Sequence, residues 1–340
     1  MPNQPSQPVT PDRIQRYSWS FAFPLILKAS VANGIFEALE GTSLTSQELS
    51  AKTGASIRGV AALTEALTGM ELLHKEDGRY RLAEDASTFL VKGKPAYLGG
   101  MLQHLTESVM QKWLTLENTA RSGKPEVSVN QESTGAEYFE TFVEALFSMN
   151  FAAATVLGRV LQLEKVSKPM RVLDIAAGSG VWGIALAQYS PQITVTAVDF
   201  ERVLQTTQRC VERFHLTSQF TFVPGDALKA DLGTGFDVVT FGHILHSEGA
   251  KKSRQLLQRA FQQLKPGGTI AIAEFLVNKD RTGPMSGLIF TINMLVHTDE
   301  GTTYSYEELK GWLEDIGYVN VRSVEAPAPS PLVLADKPSH

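Results

Sequence analysis

Gly178-Ser-Gly180-Val-Trp-Gly183 satisfies G-x-G-x-x-G directly after the apolar run MRVLDIAA. Glycines at that spacing let the backbone approach a ligand, and Asp199, ending the next apolar run, can accept from both hydroxyls of a ribose. Taken alone, the loop fits a bare turn, a nicotinamide site or a site for another nucleoside-bearing cofactor. Asp174, four residues before Gly178, separates these readings. A carboxylate there repels a pyrophosphate and suits an ammonium group. Farther on, Gly225-Asp226-Ala227 follows the run FTFV, where an acid can accept from an adenine amino group. Seven histidines are present, and two of them, His243 and His246, fall in FGHILHSEG after another apolar run. Histidine is the usual positioned base near neutral pH. The acids and histidines lack H-x-x-x-H or H-x-H spacing, and the single cysteine, Cys210, cannot build a thiolate cluster. No metal mechanism is expected on those grounds.

The set LDIAAGSG, VDF, GDAL and LKPGG, spread over residues 171 to 275, resembles the class I S-adenosylmethionine-dependent methyltransferases. Over roughly residues 15 to 338 the chain resembles the small-molecule O-methyltransferases of the caffeate, hydroxyneurosporene and acetylserotonin type. The resemblance implies S-adenosyl-L-methionine as cofactor, held by Asp174, Ala176, Gly178, Gly180, Asp199, Phe200, Asp226, Ala227 and Gly242. It also implies that His246 is the catalytic base, oriented by Glu274 and Glu300, with His243 as the rival base. Acceptor-pocket positions carried over the same way are Trp113, Phe142, Met149, Phe290, Asn293 and Met294. Two departures stand out. Ala176 replaces the usual glycine, which predicts a slightly tighter loop, and Ser247 follows His246 where relatives commonly have an acid. Methylation at carbon or nitrogen, or a non-methylating use of the same fold, stays open at this point.

These residues need a scaffold. Apolar runs ending at Ile175, Phe200, Val223, Ile244 and Phe275 alternate with helix-like segments, which predicts a mostly parallel sheet with helices on both faces. YVNVRSVEA and PSPLVLAD are too close for a helical crossover, so the last strand should run antiparallel. The expected fold class is α/β, a Rossmann-like methyltransferase sheet behind an N-terminal, largely helical, winged-helix dimerisation domain. In that front part, Phe21 to Leu39 reads as helical, and Thr45 with Glu48 has capping-box spacing. A helix from Ser56 to Met70 and a hairpin turning at Asp77-Gly78 complete the winged-helix order. Two long helices, Met101 to Ser122 and Tyr138 to Leu163, should follow. The expected divisions are a proline-rich arm over 1–12, the winged-helix domain over 13–100, a helical connector lending residues to the acceptor pocket over 101–166, and the cofactor domain over 167–340.

Length agrees, since 340 residues suit about two domains at roughly 150 residues each. No run approaches ~18 apolar residues, so no membrane span is expected. The opening MPNQPSQPVTPDR lacks a signal-peptide pattern, which points to a reducing, cytoplasmic setting. A winged helix also invites a DNA-binding reading. Residues 1–100 carry ten Lys and Arg against ten Asp and Glu, and the presumed recognition helix offers Arg58 and Glu65. Neutralising phosphates needs a basic face, so no nucleic-acid partner is expected. The apolar residues there suit a homodimer, and the remaining partner is a small-molecule acceptor.

Overall fold

The computed structural model describes the backbone of residues 9–94, 96–128, 132–327 and 331–339, and side chains for these except 132–145. Residues 1–8 of the expected arm lie outside that set. The chain divides into two compact units, residues 1–109 and 110–340.

In the first unit, helices α1 (Asp12–Ser18), α2 (Ala22–Ala32) and α3 (Ile35–Leu39) lead into α4 (Ser46–Thr53) and α5 (Ile57–Gly69). The stretch expected to be one helix over 21–39 is broken at Gly34, which takes φ +67°. The capping box at α4 forms as expected: Thr45 N–H donates to Glu48 Oε2 at 2.8 Å and Glu48 N–H donates to Thr45 Oγ1 at 3.3 Å. Strands β1 (Leu73–Glu76) and β2 (Arg79–Leu82) pair antiparallel around Asp77 and Gly78, both with positive φ. That is the geometry an Asp-Gly turn favours. Ile35, Phe36, Leu39, Leu49, Val60, Leu67 and Tyr80 bury together, so the helix–helix–hairpin order has its own core. Helices α6 (Glu84–Phe89) and α7 (Gly99–His104) and a π turn (Leu105–Val109) close the unit.

The second unit starts with α8 (Met110–Trp113), α9 (Leu116–Ser122) and α10 (Glu132–Val160). The helix expected over 101–122 is therefore in pieces. Beside the break, Thr115 Oγ1 donates to the Lys112 carbonyl at 2.8 Å, a local bond that competes with the helical ladder. Strands β3 (Met170–Ile175), β4 (Ile193–Asp199), β5 (Phe220–Pro224), β6 (Phe236–Gly242) and β7 (Leu264–Ala273) are parallel. A short parallel pair, β8 (Leu276–Val277) and β9 (Tyr304–Ser305), lies outside the main sheet. Strands β10 (Val319–Val324) and β11 (Leu332–Asp336) complete the order β10-β11-β7-β6-β3-β4-β5, with β11 antiparallel to both neighbours. Helices α11 (Val181–Ala187), α12 (Glu201–Arg213), α13 (Leu245–Gln263), α14 (Met285–His297) and α15 (Tyr306–Ile316) join them. Alternate strand residues serve opposite faces: Val172 and Val238 pack in one core, Leu173 and Val239 in the other. The chain runs outward from β3 through β4 to β5, then returns to β6 on the other side of β3. Ligands of open α/β sheets bind where that reversal occurs, outside the strands' carboxyl ends. Among the described residues, no helix is long and apolar enough to cross a membrane.

Candidate active site

The loop after β3 places three residues out of five in the left-handed region: Ala176 at φ +55°, Gly178 at +55° and Gly180 at +72°. Gly178 N–H donates to Asp199 Oδ2 at 2.9 Å, and Thr207 Oγ1 donates to the Gly178 carbonyl at 2.7 Å. The Phe200 amide donates to the other Asp199 oxygen at 2.7 Å. Asp199 thus sits half-buried at the end of β4, with lone pairs left for ribose hydroxyls. Burial pushes its carboxyl up to about 6, against the pull of the two amides. Asp226, half-buried after β5, accepts from the Leu228 amide at 2.8 Å, with Ala227 half-buried beside it. Gly242 ends β6, where a Cβ would meet Trp182 Nε1 at 2.0 Å. These strand-end residues form a cradle with acceptors suited to a nucleoside and little charge for a pyrophosphate.

Asp174 differs from the ammonium partner expected of it. It is fully buried, with Oδ2 accepting from the Gly183 amide at 3.0 Å and Oδ1 from Thr240 Oγ1 at 2.6 Å. Burial pushes it up to about 7, and the nearby Asp199 charge acts the same way. Its position fits a tie beneath the loop, joining β3 to α11 and β6.

The second centre forms where β6 and β7 end side by side. His243 prolongs the ladder, its amide donating to the Ala273 carbonyl at 2.9 Å, and takes φ +64°. His246 follows in the first turn of α13, and Glu274 is the residue after β7. His246 Nδ1 lies 2.6 Å from Glu274 Oε2, and the His246 amide donates to Oε1 at 3.2 Å. Only 7% of His246 and 1% of Glu274 are exposed. Burial alone would raise Glu274, yet the charge and hydrogen bonds of His246 hold it below the usual carboxylate range. An ionised carboxylate against Nδ1 assigns the proton to Nδ1 and leaves the Nε2 lone pair for a base. His243 is pushed down to about 4 by burial, so it is neutral at ordinary pH.

Glu300 is a correction. It is exposed, its side chain beside Gly249 in the kinked start of α13, and it makes no hydrogen bond to His246. The loop touches His246 through backbone instead, Thr302 N–H donating to the His246 carbonyl at 2.8 Å. Ser247 is buried and donates to the Ile244 carbonyl at 2.9 Å. His243, His246 and Glu274 bring three donor atoms within 4.8 Å of one another, a grouping that H-x-x-x-H or H-x-H spacing does not reveal. Sequence spacing missed this because Glu274 arrives from the neighbouring strand.

Of the expected pocket residues, Phe290 packs edge-on to the His246 ring at 4.8 Å, and Trp113 Nε1 donates to Asn293 Oδ1 at 3.0 Å. Met294 is buried and Met149 half-buried, whereas the Phe142 side chain lies outside the described residues. Phe275 was not expected. It stacks on Phe290 at 3.8 Å and lies 5.1 Å from His243, and its signal was simple adjacency to Glu274.

Residues 113–319 match the family model of the O-methyltransferase domain, and residues 15–92 match that of the O-methyltransferase dimerisation domain. A 3-hydroxy-5-methyl-1-naphthoate 3-O-methyltransferase of Streptomyces sahachiroi is 30% identical over 308 residues, covering 89% of this chain and 88% of its own. A tetracenomycin polyketide synthesis 8-O-methyl transferase of Streptomyces glaucescens is 27% identical over 333 residues, covering 96% and 97%. Human N-acetylserotonin methyltransferase, solved in complex with S-adenosylmethionine, shares the fold with a TM-score of 0.82 at 24% identity, covering 98% of this chain and 100% of that one.

Proposed function

The chain belongs to the O-methyltransferase family whose catalytic and dimerisation domains it matches, and from that premise we propose that it methylates a hydroxyl of a small aromatic or polyketide-like molecule with His246 as general base. The observation that carries this reading is the buried 2.6 Å pair of His246 Nδ1 and Glu274. When bound, S-adenosyl-L-methionine supplies a methyl group on a sulfonium, open to in-line displacement. Asp199 would hold its ribose hydroxyls and Asp226 would accept from its adenine amino group, while Asp174, bonded to the Gly183 amide and Thr240, keeps the glycine loop in shape. His246 Nε2 takes the acceptor's proton, and Glu274 stabilises the imidazolium that results. Phe275, Phe290 and Trp113 give the acceptor an apolar, aromatic wall, which suits a planar ring. The naphthoate and polyketide enzymes among the relatives support that class of acceptor.

Mass spectrometry of a phenol and polyketide panel, incubated with methyl-labelled cofactor, tests the reaction. A labelled methyl on oxygen supports it, and label on carbon or nitrogen alone defeats it. In the same assay His246→Gln should lose about 10²–10⁴ in rate, the usual range for a positioned base, with cofactor affinity nearly unchanged. Glu274→Gln should lose less, because the imidazole stays in place but is no longer opposed by charge.

A further inference from the structure

We propose that His243, His246 and Glu274 form a binding site for a borderline divalent cation, zinc being the best fitted, and that its occupancy switches off the general base. The second half rests on the role given to His246 above.

The donor set is two imidazoles and one carboxylate, which suits zinc and its first-row neighbours and not magnesium or calcium. All three donor atoms lie within 4.8 Å of one another. Donors each about 2.0–2.2 Å from a common ion sit roughly 3.5 Å apart. The His246 Nδ1–Glu274 Oε2 pair, 2.6 Å apart, would therefore open to admit the ion, while the His243 donor, within 4.8 Å of both, would close on it through small ring rotations. The backbone already fixes the frame. His243 is tied to β7 through the Ala273 carbonyl at 2.9 Å, the His246 amide is tied to Glu274 at 3.2 Å, and Thr302 holds the His246 carbonyl. Phe275 packs against both imidazoles and Phe290 against that of His246.

The inhibitory consequence follows from the tautomer. In the active arrangement Nδ1–H faces Glu274 and the Nε2 lone pair faces the acceptor. A cation between His246 and Glu274 takes the Nδ1 lone pair, and the imidazole proton moves from Nδ1 to Nε2. No proton is gained or lost, but Nε2 becomes an N–H and can no longer accept one. The same ring is then a ligand and not a base.

The test uses the full chain, stripped with a chelator, and Co²⁺ as a visible probe. Titration should give one cobalt per chain with ligand-field bands. His243→Asn, chosen because asparagine tolerates the positive φ at this position, should weaken cobalt binding at least about tenfold, the scale seen when even an outer partner of a metal ligand is removed. Zn²⁺ should abolish methyl transfer by the wild type, a chelator should restore it, and the turnover that His243→Asn retains, measured against its own zinc-free rate, should resist zinc by a similar factor. No stoichiometric cobalt binding, or equal binding by His243→Asn, overturns the site, and the His246 dependence of turnover stands independently of that result. Cobalt held through His243 with turnover unimpaired would support the site and overturn the switch, together with the general-base role of His246.

Discussion

Ala176 is held at φ +55°, a conformation that costs an L-residue with a Cβ roughly 1–2 kcal/mol. Ala176→Gly removes that cost but gives back about 0.5–1 kcal/mol of unfolded-chain entropy. The expected net gain is about 0.5–1 kcal/mol, read as a higher urea midpoint, and a lowered midpoint would show that the methyl group packs usefully in the loop. A second expectation concerns Asp174 and Asp199, pushed up to about 7 and about 6 from 3.8. A raised folded pKa means that the native chain holds protons the unfolded chain has released. The stability this confers is complete below pH 4 and is lost as pH rises through about 6 and then about 7. The cofactor-free protein should therefore melt at lower temperature at pH 8 than at pH 6. Asp174→Asn can still accept from the Gly183 amide and bond Thr240, so it should fold and show a flatter pH dependence. An unchanged slope would mean that Asp174 is ionised throughout.

Elements decided which of these residues were legible. The loop after β3, Asp199 and Glu274 could be read because each closes a run of buried β-branched residues, and a strand end has only one place to go. Glu300 could not, because it lies in the segment between α14 and β9, where spacing fixes no direction and the backbone of Thr302 makes the contact. Helix interruptions were invisible for the same reason: the apolar pattern continues through Gly34 and through Leu114, while a backbone angle or one hydroxyl ends the helix. The contact between β6 and α11 was equally hidden. Gly242 and Trp182 are 60 residues apart in sequence, yet a Cβ on Gly242 would fall 2.0 Å from the indole nitrogen and 2.3 Å from Cδ1. Gly242→Ala should therefore cost about 1–3 kcal/mol, the usual range for overpacking, and should disturb the helix that opens at the glycine loop. If the clash is the cause, the same change should cost much less in a Trp182→Phe background, because residues in contact do not add. Equal costs in both backgrounds would place the damage elsewhere.

At the scale of the whole molecule, the first unit leaves an apolar surface that a single chain does not cover. Ile14, Tyr17, Trp19, Phe21 and Phe23, on and between α1 and α2, are all about half exposed or more, with Trp19 at 69%. Monomeric proteins rarely present so many large apolar side chains together unless the face is a contact. Charge does not redirect it to nucleic acid, since residues 1–100 are neutral overall. A second copy of the same face is the simplest occupant, because closed twofold assemblies are the commonest in soluble oligomers. Light scattering should therefore give twice the 37.2 kDa chain mass, and the melting temperature should rise with protein concentration, as mass action requires of a folded dimer. Trp19→Glu combined with Phe23→Glu should give a chain of single mass whose melting no longer depends on concentration. Both side chains are exposed in the single chain, so the pair should cost its fold little. A wild-type chain that scatters as a monomer at micromolar concentration would overturn the assembly, and a double variant that stays dimeric would move the interface away from α1 and α2.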